Sequence, residues 1–142
     1  MTTRLGRDMK ISPFNGTISF AQGEIERSMD RARFLASQVG RGAKAGLVNE
    51  PWRQYGIDPE TGIAGTVFFE GNRLDRVFLS MALPKDTERE WTVASELARK
   101  TKHDDWLRNE LGKPPYNYSW GSVNSVYDAK GCASEIIIVY ES

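Results

Sequence analysis

A pair of strand-forming segments in the middle of the chain constrains the fold most strongly. Ile63–Glu70 is rich in β-branched and aromatic residues, and the segment that begins at Leu74 places apolar side chains largely at every second position. Gly71-Asn72 between them is a turn sequence, so the two segments predict neighbouring antiparallel strands with one buried face. The alternation slips near Asp75, where we expect an irregularity in the second strand.

A long helix is predicted after this meander. Glu88–Leu111 contains neither glycine nor proline, Thr87 and Glu90 have the spacing of a capping box, and Gly112 supplies a stop. At 100° per residue, one broad side of this helix is predicted to face the core. That side consists of Val93, Ala94, Leu97, Thr101, Leu107 and Leu111.

A shorter helix is predicted earlier in the chain. Ser28 is a suitable N-cap, Met29–Gln38 lacks helix breakers, and Gly40 can end the helix in a left-handed conformation. Three apolar side chains are expected to face the core: Phe34, Leu35 and Val39.

The remaining segments are predicted to be strands. Asn15-Gly16 between apolar residues is a hairpin signal, and residues 45–57 read as an extended segment that breaks near Pro51 and precedes a turn over residues 58–62. Residues 122–127 and 132–140 are predicted to form the last two strands. Because Ile137 and Val139 add a second apolar face to the last strand, it is expected to be central and covered on both sides.

These elements predict an α+β protein with the order β-β-α-β-β-β-α-β-β. We expect one antiparallel sheet of about five to seven strands, with two helices packed against it. Residues 11–142 are predicted to form a single domain, and residues 1–10 a flexible tail.

Composition excludes several classes of protein. The 142 residues are 39% hydrophobic and 27% charged, which is typical of a globular domain, and no apolar run is long enough to span a bilayer. No apolar stretch follows the N-terminal charges and Cys132 is the only cysteine, so a cytoplasmic location is predicted. The net charge of zero disfavours nucleic acid as a partner, because binding to phosphates requires an excess of basic residues.

The sequence offers no complete catalytic or cofactor motif. His103 is the only histidine, so a zinc site with two histidines on one helix face is excluded, and we expect His103 at the core boundary, bonded to a carboxylate or carbonyl. No phosphate-binding glycine loop or Gly-x-Ser-x-Gly motif occurs. We therefore predict no catalytic residue, metal or cofactor. A small hydrolase that uses His103 with Asp104 or Cys132 stays open as an alternative.

The most suggestive feature for function is an aromatic cluster that consists of Trp106, Tyr116, Tyr118, Trp120 and Tyr127. Tyrosine and tryptophan recur at interfaces and sugar sites, although rings in one region also pack together as core. The candidate partner-binding residues are His103, Asp104, Asp105, Trp106, Tyr116, Tyr118 and Trp120. An alternative is a small-ligand or carbohydrate module, with a pocket lined by Tyr118 and Trp120.

The same region also contains a series of short sequence motifs that indicates a resemblance to known proteins. The relevant sequence runs from His103-Asp104-Asp105-Trp106-Leu107 through Leu111-Gly112, Pro114-Pro115-Tyr116 and Tyr118-Ser119-Trp120-Gly121 to Tyr127-Asp128. It resembles small bacterial proteins of unassigned function and the single-domain α+β immunity proteins of contact-dependent and type VI toxin systems. The resemblance implies a non-catalytic protein that neutralises a partner toxin by covering its active site or an essential surface. It assigns no binding residues.

Overall fold

A seven-stranded antiparallel sheet is the centre of the fold. The computed structural model describes residues 8–83 and 92–141. Within these ranges the strands are β1 (Lys10–Ile11), β2 (Ile18–Phe20), β3 (Gly23–Ile25), β4 (Lys44–Asn49), β5 (Trp52–Glu60), β6 (Ile63–Glu70), β7 (Arg73–Met81), β8 (Tyr116–Tyr118), β9 (Gly121–Asp128) and β10 (Ala133–Tyr140). The helices are α1 (Arg31–Ala36), α2 (Gln38–Arg41) and α3 (Val93–Leu111). The predicted α+β class is confirmed.

The main sheet has the strand order β4-β5-β6-β7-β10-β9-β8, and β1, β2 and β3 form a small second sheet. The predicted meander is confirmed, because β6 pairs with β7 across Gly71-Asn72 from Glu70↔Arg73 to Ile63↔Met81. The register shifts between Phe68 and Phe69, opposite Asp75, as the broken alternation indicates. The turn expected at residues 58–62 is shorter, since β5 continues to Glu60.

One face of the main sheet carries the core. Phe34 of α1 packs against Tyr55 and Phe69, with ring centroids 5.7 and 5.4 Å apart. The small sheet covers the same core, and its apolar residues Ile11, Ile18 and Ile25 are buried. Met9 is also buried and Lys10 pairs in β1, so both belong to the fold and not to the predicted tail.

The first helical segment differs from its prediction at both ends. Asp30, not Ser28, is the N-cap of α1, because its side chain accepts a hydrogen bond from the Arg33 N–H. Ser37 ends α1 and starts α2, since its side chain accepts from the Gly40 N–H. The predicted inward orientation of Leu35 is wrong: this side chain is exposed, whereas its neighbour Phe34 is buried.

The predicted core face of the long helix is confirmed towards its C-terminal end, where Leu107 is buried and Leu111 packs against the core, and is wrong towards its N-terminal end. Val93 and Leu97 are exposed, and the buried residues are Glu96, His103 and Leu107. The described helix begins after Thr92, which forms a capping box with Ser95, and the predicted cap at Thr87 lies outside the described residues. The prediction failed there because the spacing of apolar residues along a helix contains no information about its polar partners on other strands.

Polar groups of β7 and β10 explain why α3 also buries polar side chains. The Ser134 N–H donates to Glu96, and the Ser134 hydroxyl donates to the Glu96 carbonyl oxygen. Arg99 pairs with Glu96 and donates to the Met81 carbonyl oxygen. Buried polar groups need such partners, so α3 is attached to the ends of β7 and β10 by hydrogen bonds as well as by apolar packing.

We expect Ser134→Ala to lower the free energy of unfolding by about 1–2 kcal/mol, because it removes a buried hydrogen bond to α3. Urea denaturation measures the change. Ser122→Ala, at a half-buried serine of β9, is the control and should change stability by less than about 0.5 kcal/mol. Equal stability of Ser134→Ala and the unsubstituted chain would contradict this role.

Candidate functional site

The seven residues predicted to bind a partner do not form one exposed surface. His103, Tyr116 and Trp120 are buried, Asp104, Trp106 and Tyr118 are half-buried, and Asp105 is exposed. The elements that hold them are α3, β8 and the turn between β8 and β9. The buried members have structural partners, which define what each one does.

His103 is a buried, neutral histidine. Its Nε2 accepts a hydrogen bond from the Met81 N–H at 3.0 Å, and the side chain is 0% exposed. Burial, with a smaller contribution from the positive charge of Arg99, lowers the pKa of His103 to about 4. The expected position at the core boundary is therefore wrong. A solvent-facing base needs an accessible nitrogen lone pair, and the lone pair of Nε2 is directed at the backbone.

Trp120 supports the loop between β1 and β2. Its Nε1–H donates to the Pro13 carbonyl oxygen at 3.0 Å, and its ring stacks on Tyr118 with centroids 5.1 Å apart. A Cβ at Gly16 would lie 2.6 Å from the indole, so the loop backbone rests on the ring. Trp120 is 1% exposed, so it offers no free face on which a sugar could stack. This geometry disfavours the carbohydrate alternative.

Tyr116 and Asp104 also have partners within the chain. The Tyr116 hydroxyl donates to the Gly112 carbonyl oxygen at 2.8 Å, which ties β8 to the end of α3. Asp104 forms an ion pair with Lys100 at 3.0 Å on the surface of the same helix. The two residues line a groove of about 500 Å³ between α3 and β9.

A different surface lies on the face of the main sheet that is opposite to the core. No helix or strand of the described residues packs there, and the apolar side chains Phe78, Ile137 and Val139 are only half-buried. The prediction that β10 is covered on both sides is therefore not met in the described part of the chain. We call this surface the open face.

The open face contains a shallow apolar depression of about 410 Å³ at its β4 side. Phe68 and Phe78 form its floor, with ring centroids 4.8 Å apart. Leu47 on the edge strand β4 is 79% exposed, and Trp52 at the start of β5 is 36% exposed. The residues that line the depression are Leu47, Asn49, Trp52, Arg53, Gln54, Phe68, Arg76 and Phe78.

Paired arginines form the polar rim of this depression. Arg53 forms an ion pair with Glu50, and the hydrogen bond that its guanidinium donates to the Glu50 carboxylate raises the pKa of Arg53. Arg76 pairs with Asp75, which also accepts from Arg73 at 2.6 Å. The acids and bases compensate one another, so the depression combines an apolar centre with a nearly neutral polar rim, as in many protein interfaces.

The sequence contains evidence for this surface, although the aromatic cluster is the more conspicuous feature. Phe68 and Phe78 lie on the side of β6 and β7 that faces away from the core, where a sheet with one solvated face usually carries polar residues. When apolar residues occur on both faces of three adjacent strands, here β6, β7 and β10, they indicate either a second covering layer or a binding surface. The described residues show no covering layer.

Within residues 8–83 and 92–141, no group of three His, Cys, Asp or Glu side chains has the arrangement of a metal site. Among the helices described, none has the length and apolar character needed to cross a membrane. Protein-family models, curated protein sequences and solved structures contain no match to this chain.

Proposed function

We propose that this protein is a non-catalytic inhibitor that binds a bacterial toxin and covers its active site or an essential surface. The observation that carries the binding role is the open face, where an apolar depression lies beside an exposed edge strand. Contiguous exposed apolar surface is costly in water and is typical of sites that another molecule covers.

The composition of the depression supports a protein as the occupant. Aromatic rings at the centre, arginines at the rim and few uncompensated charges are the features that distinguish protein interfaces from the remaining surface. Leu47 and Trp52 protrude beside the pair formed by Phe68 and Phe78, so a partner can remove several apolar groups from water at once.

The state of His103 supports a role in binding over a role in catalysis. The alternative hydrolase requires an imidazole that takes a proton from a substrate or from Cys132. In this chain Nε2 already accepts from the Met81 N–H, and burial keeps the ring neutral and away from solvent. We infer that the partner is a toxin from the resemblance to immunity proteins. This chain would inhibit the toxin sterically, by covering part of its surface.

Growth rescue tests the proposal. The genes adjacent to this one are expressed singly in a sensitive host, and each product that arrests growth is co-expressed with this chain. We expect one of these toxins to be neutralised. Failure to rescue growth against every adjacent toxic product would contradict the proposed function.

Leu47→Asp tests whether the open face is the binding surface. A carboxylate in the apolar centre of the interface should weaken toxin binding at least about tenfold, while stability stays unchanged because Leu47 is 79% exposed. Binding is measured by calorimetry with the purified toxin. Leu97→Asp, at an exposed leucine of α3, is the control and should bind normally. Equal binding by Leu47→Asp and the unsubstituted chain would remove the open face from the interface.

A further inference from the structure

The loop between β1 and β2 carries the most exposed large hydrophobic side chain of the described residues. Phe14 at its tip is 89% exposed, so it contributes almost nothing to the core. An exposed phenylalanine on a flexible loop would be unremarkable, because single apolar residues are common on protein surfaces. The unusual feature is how firmly this loop is held.

Two buried rings of the main sheet hold the loop on either side of its tip. The Trp120 Nε1–H donates to the Pro13 carbonyl oxygen at 3.0 Å, and the Tyr140 hydroxyl donates to the Gly16 carbonyl oxygen at 2.7 Å. Gly16 has φ +77° and lies against Trp120, where a Cβ would be 2.6 Å from the indole. The loop conformation is therefore fixed by the core.

Hydrogen bonds inside the loop satisfy further backbone groups. The Gly16 N–H donates to the Ser12 carbonyl oxygen, and the Phe14 N–H donates to the Ser12 hydroxyl. The Thr17 N–H donates to Asn15 Oδ1 at 3.0 Å. A partner that buries this tip therefore leaves few backbone groups without a hydrogen bond, which lowers the cost of burying the loop in an apolar site.

From this geometry we propose that Phe14 is a preorganised anchor that inserts into an apolar pocket of the toxin. This inference depends on the proposed function and adds a second contact to it. The side chain is presented on a convex tip, so its partner must be concave, and a rigid loop loses little conformational entropy when Phe14 is buried. Single aromatic side chains in such pockets contribute a large share of the affinity of an interface.

The charges beside the loop favour a protein over a membrane as the partner. Ser12, Asn15 and Thr17 border a cleft whose charged residues are three glutamates, at positions 24, 26 and 141, and two arginines, at positions 27 and 73. Glu26 also pairs with Arg33 at 2.6 Å, so the acidic and basic groups beside the loop balance. Without a surplus of cations, the loop has no electrostatic attraction to an anionic membrane, which leaves an apolar protein pocket as the partner for Phe14.

Phe14→Ala tests the anchor. We expect it to weaken binding of the toxin identified by growth rescue about 30-fold or more, because the anchor is lost, with no change in thermal stability. Calorimetry measures the affinity, and Leu97→Ala serves as the control because it removes a different exposed apolar side chain without altering this loop.

Each outcome bears on the proposal. Unchanged affinity of Phe14→Ala for the toxin would overturn the anchor and leave the proposed function intact. Absence of binding by the unsubstituted chain would overturn both. Sedimentation of the chain with phosphatidylcholine–phosphatidylglycerol vesicles, lost in Phe14→Ala, would show a membrane contact instead. Concentration-dependent self-association that is lost in the same variant would assign Phe14 to a contact between copies of this chain.

Discussion

Trp120→Ala is expected to lower the free energy of unfolding by about 3–5 kcal/mol, which is the largest effect of any single truncation considered for this chain. The side chain is 1% exposed and contacts Tyr118, Tyr140 and the loop between β1 and β2. Its removal creates a large cavity and leaves the Pro13 carbonyl oxygen without its donor. The small sheet therefore loses its attachment to the main sheet at this point.

Chemical denaturation measures this effect, and two variants make it specific. Trp120→Phe keeps most of the apolar volume but removes the hydrogen bond, so it should cost less than Trp120→Ala. Trp52→Ala, at a tryptophan that is 36% exposed, should cost much less than either. A loss below about 1 kcal/mol for Trp120→Ala would contradict its role as the support of the loop.

The stability of the protein is expected to fall by up to about 3 kcal/mol between pH 6.5 and pH 4 because of His103. The pKa of His103 is lowered from 6.5 to about 4 in the folded state, chiefly by burial. As the pH decreases through this window, the unfolded chain binds a proton before the folded chain does. The contribution of His103 is therefore complete above pH 6.5, is lost progressively below it, and changes no further below about pH 4.

His103→Gln isolates this contribution from that of the carboxylates. Glutamine offers a neutral oxygen in place of Nε2 to the Met81 N–H, and it does not titrate. Burial raises the pKa of Glu135, so this residue contributes a dependence of opposite sign that both proteins share. The difference in unfolding free energy between the two proteins, followed from pH 7 to pH 4, should change by about 3 kcal/mol. A constant difference would show that His103 does not titrate as proposed.

The strands of this fold are predictable because their signals are local. The β-branched and aromatic composition of Ile63–Glu70, the turn at Gly71-Asn72 and the slip near Asp75 all act within a few residues, and the structure confirms each of them. The central position of β10 between β7 and β9 also follows from its apolar character.

The face of α3 was not predictable in the same way. Its orientation depends on strand groups that are distant in sequence, such as the Met81 N–H for His103 and the Ser134 N–H for Glu96. Apolar periodicity then assigned Val93 and Leu97 to the core, although both are exposed. A buried histidine and glutamate acquire their partners only when the chain is folded.

The aromatic cluster shows why the candidate site was harder to predict than the fold. Residue type identified Tyr116 and Trp120 as candidate contacts, but residue type does not distinguish an aromatic ring that packs from one that is exposed. The exposed apolar residues Phe14 and Leu47 are separated from that cluster in sequence. Only the three-dimensional arrangement shows that Trp120 positions the loop that carries Phe14.

Stoichiometric titration of the toxin most directly tests the claim that this chain acts by binding. A fixed amount of the toxin identified by growth rescue is mixed with increasing amounts of this protein, and the remaining toxin activity is measured. An inhibitor that covers the toxin predicts a linear decrease that reaches zero at a fixed stoichiometric ratio, unchanged by longer incubation. Complete loss of toxin activity at a small fraction of that ratio, increasing with time, would show that the protein transforms the toxin and would contradict the account.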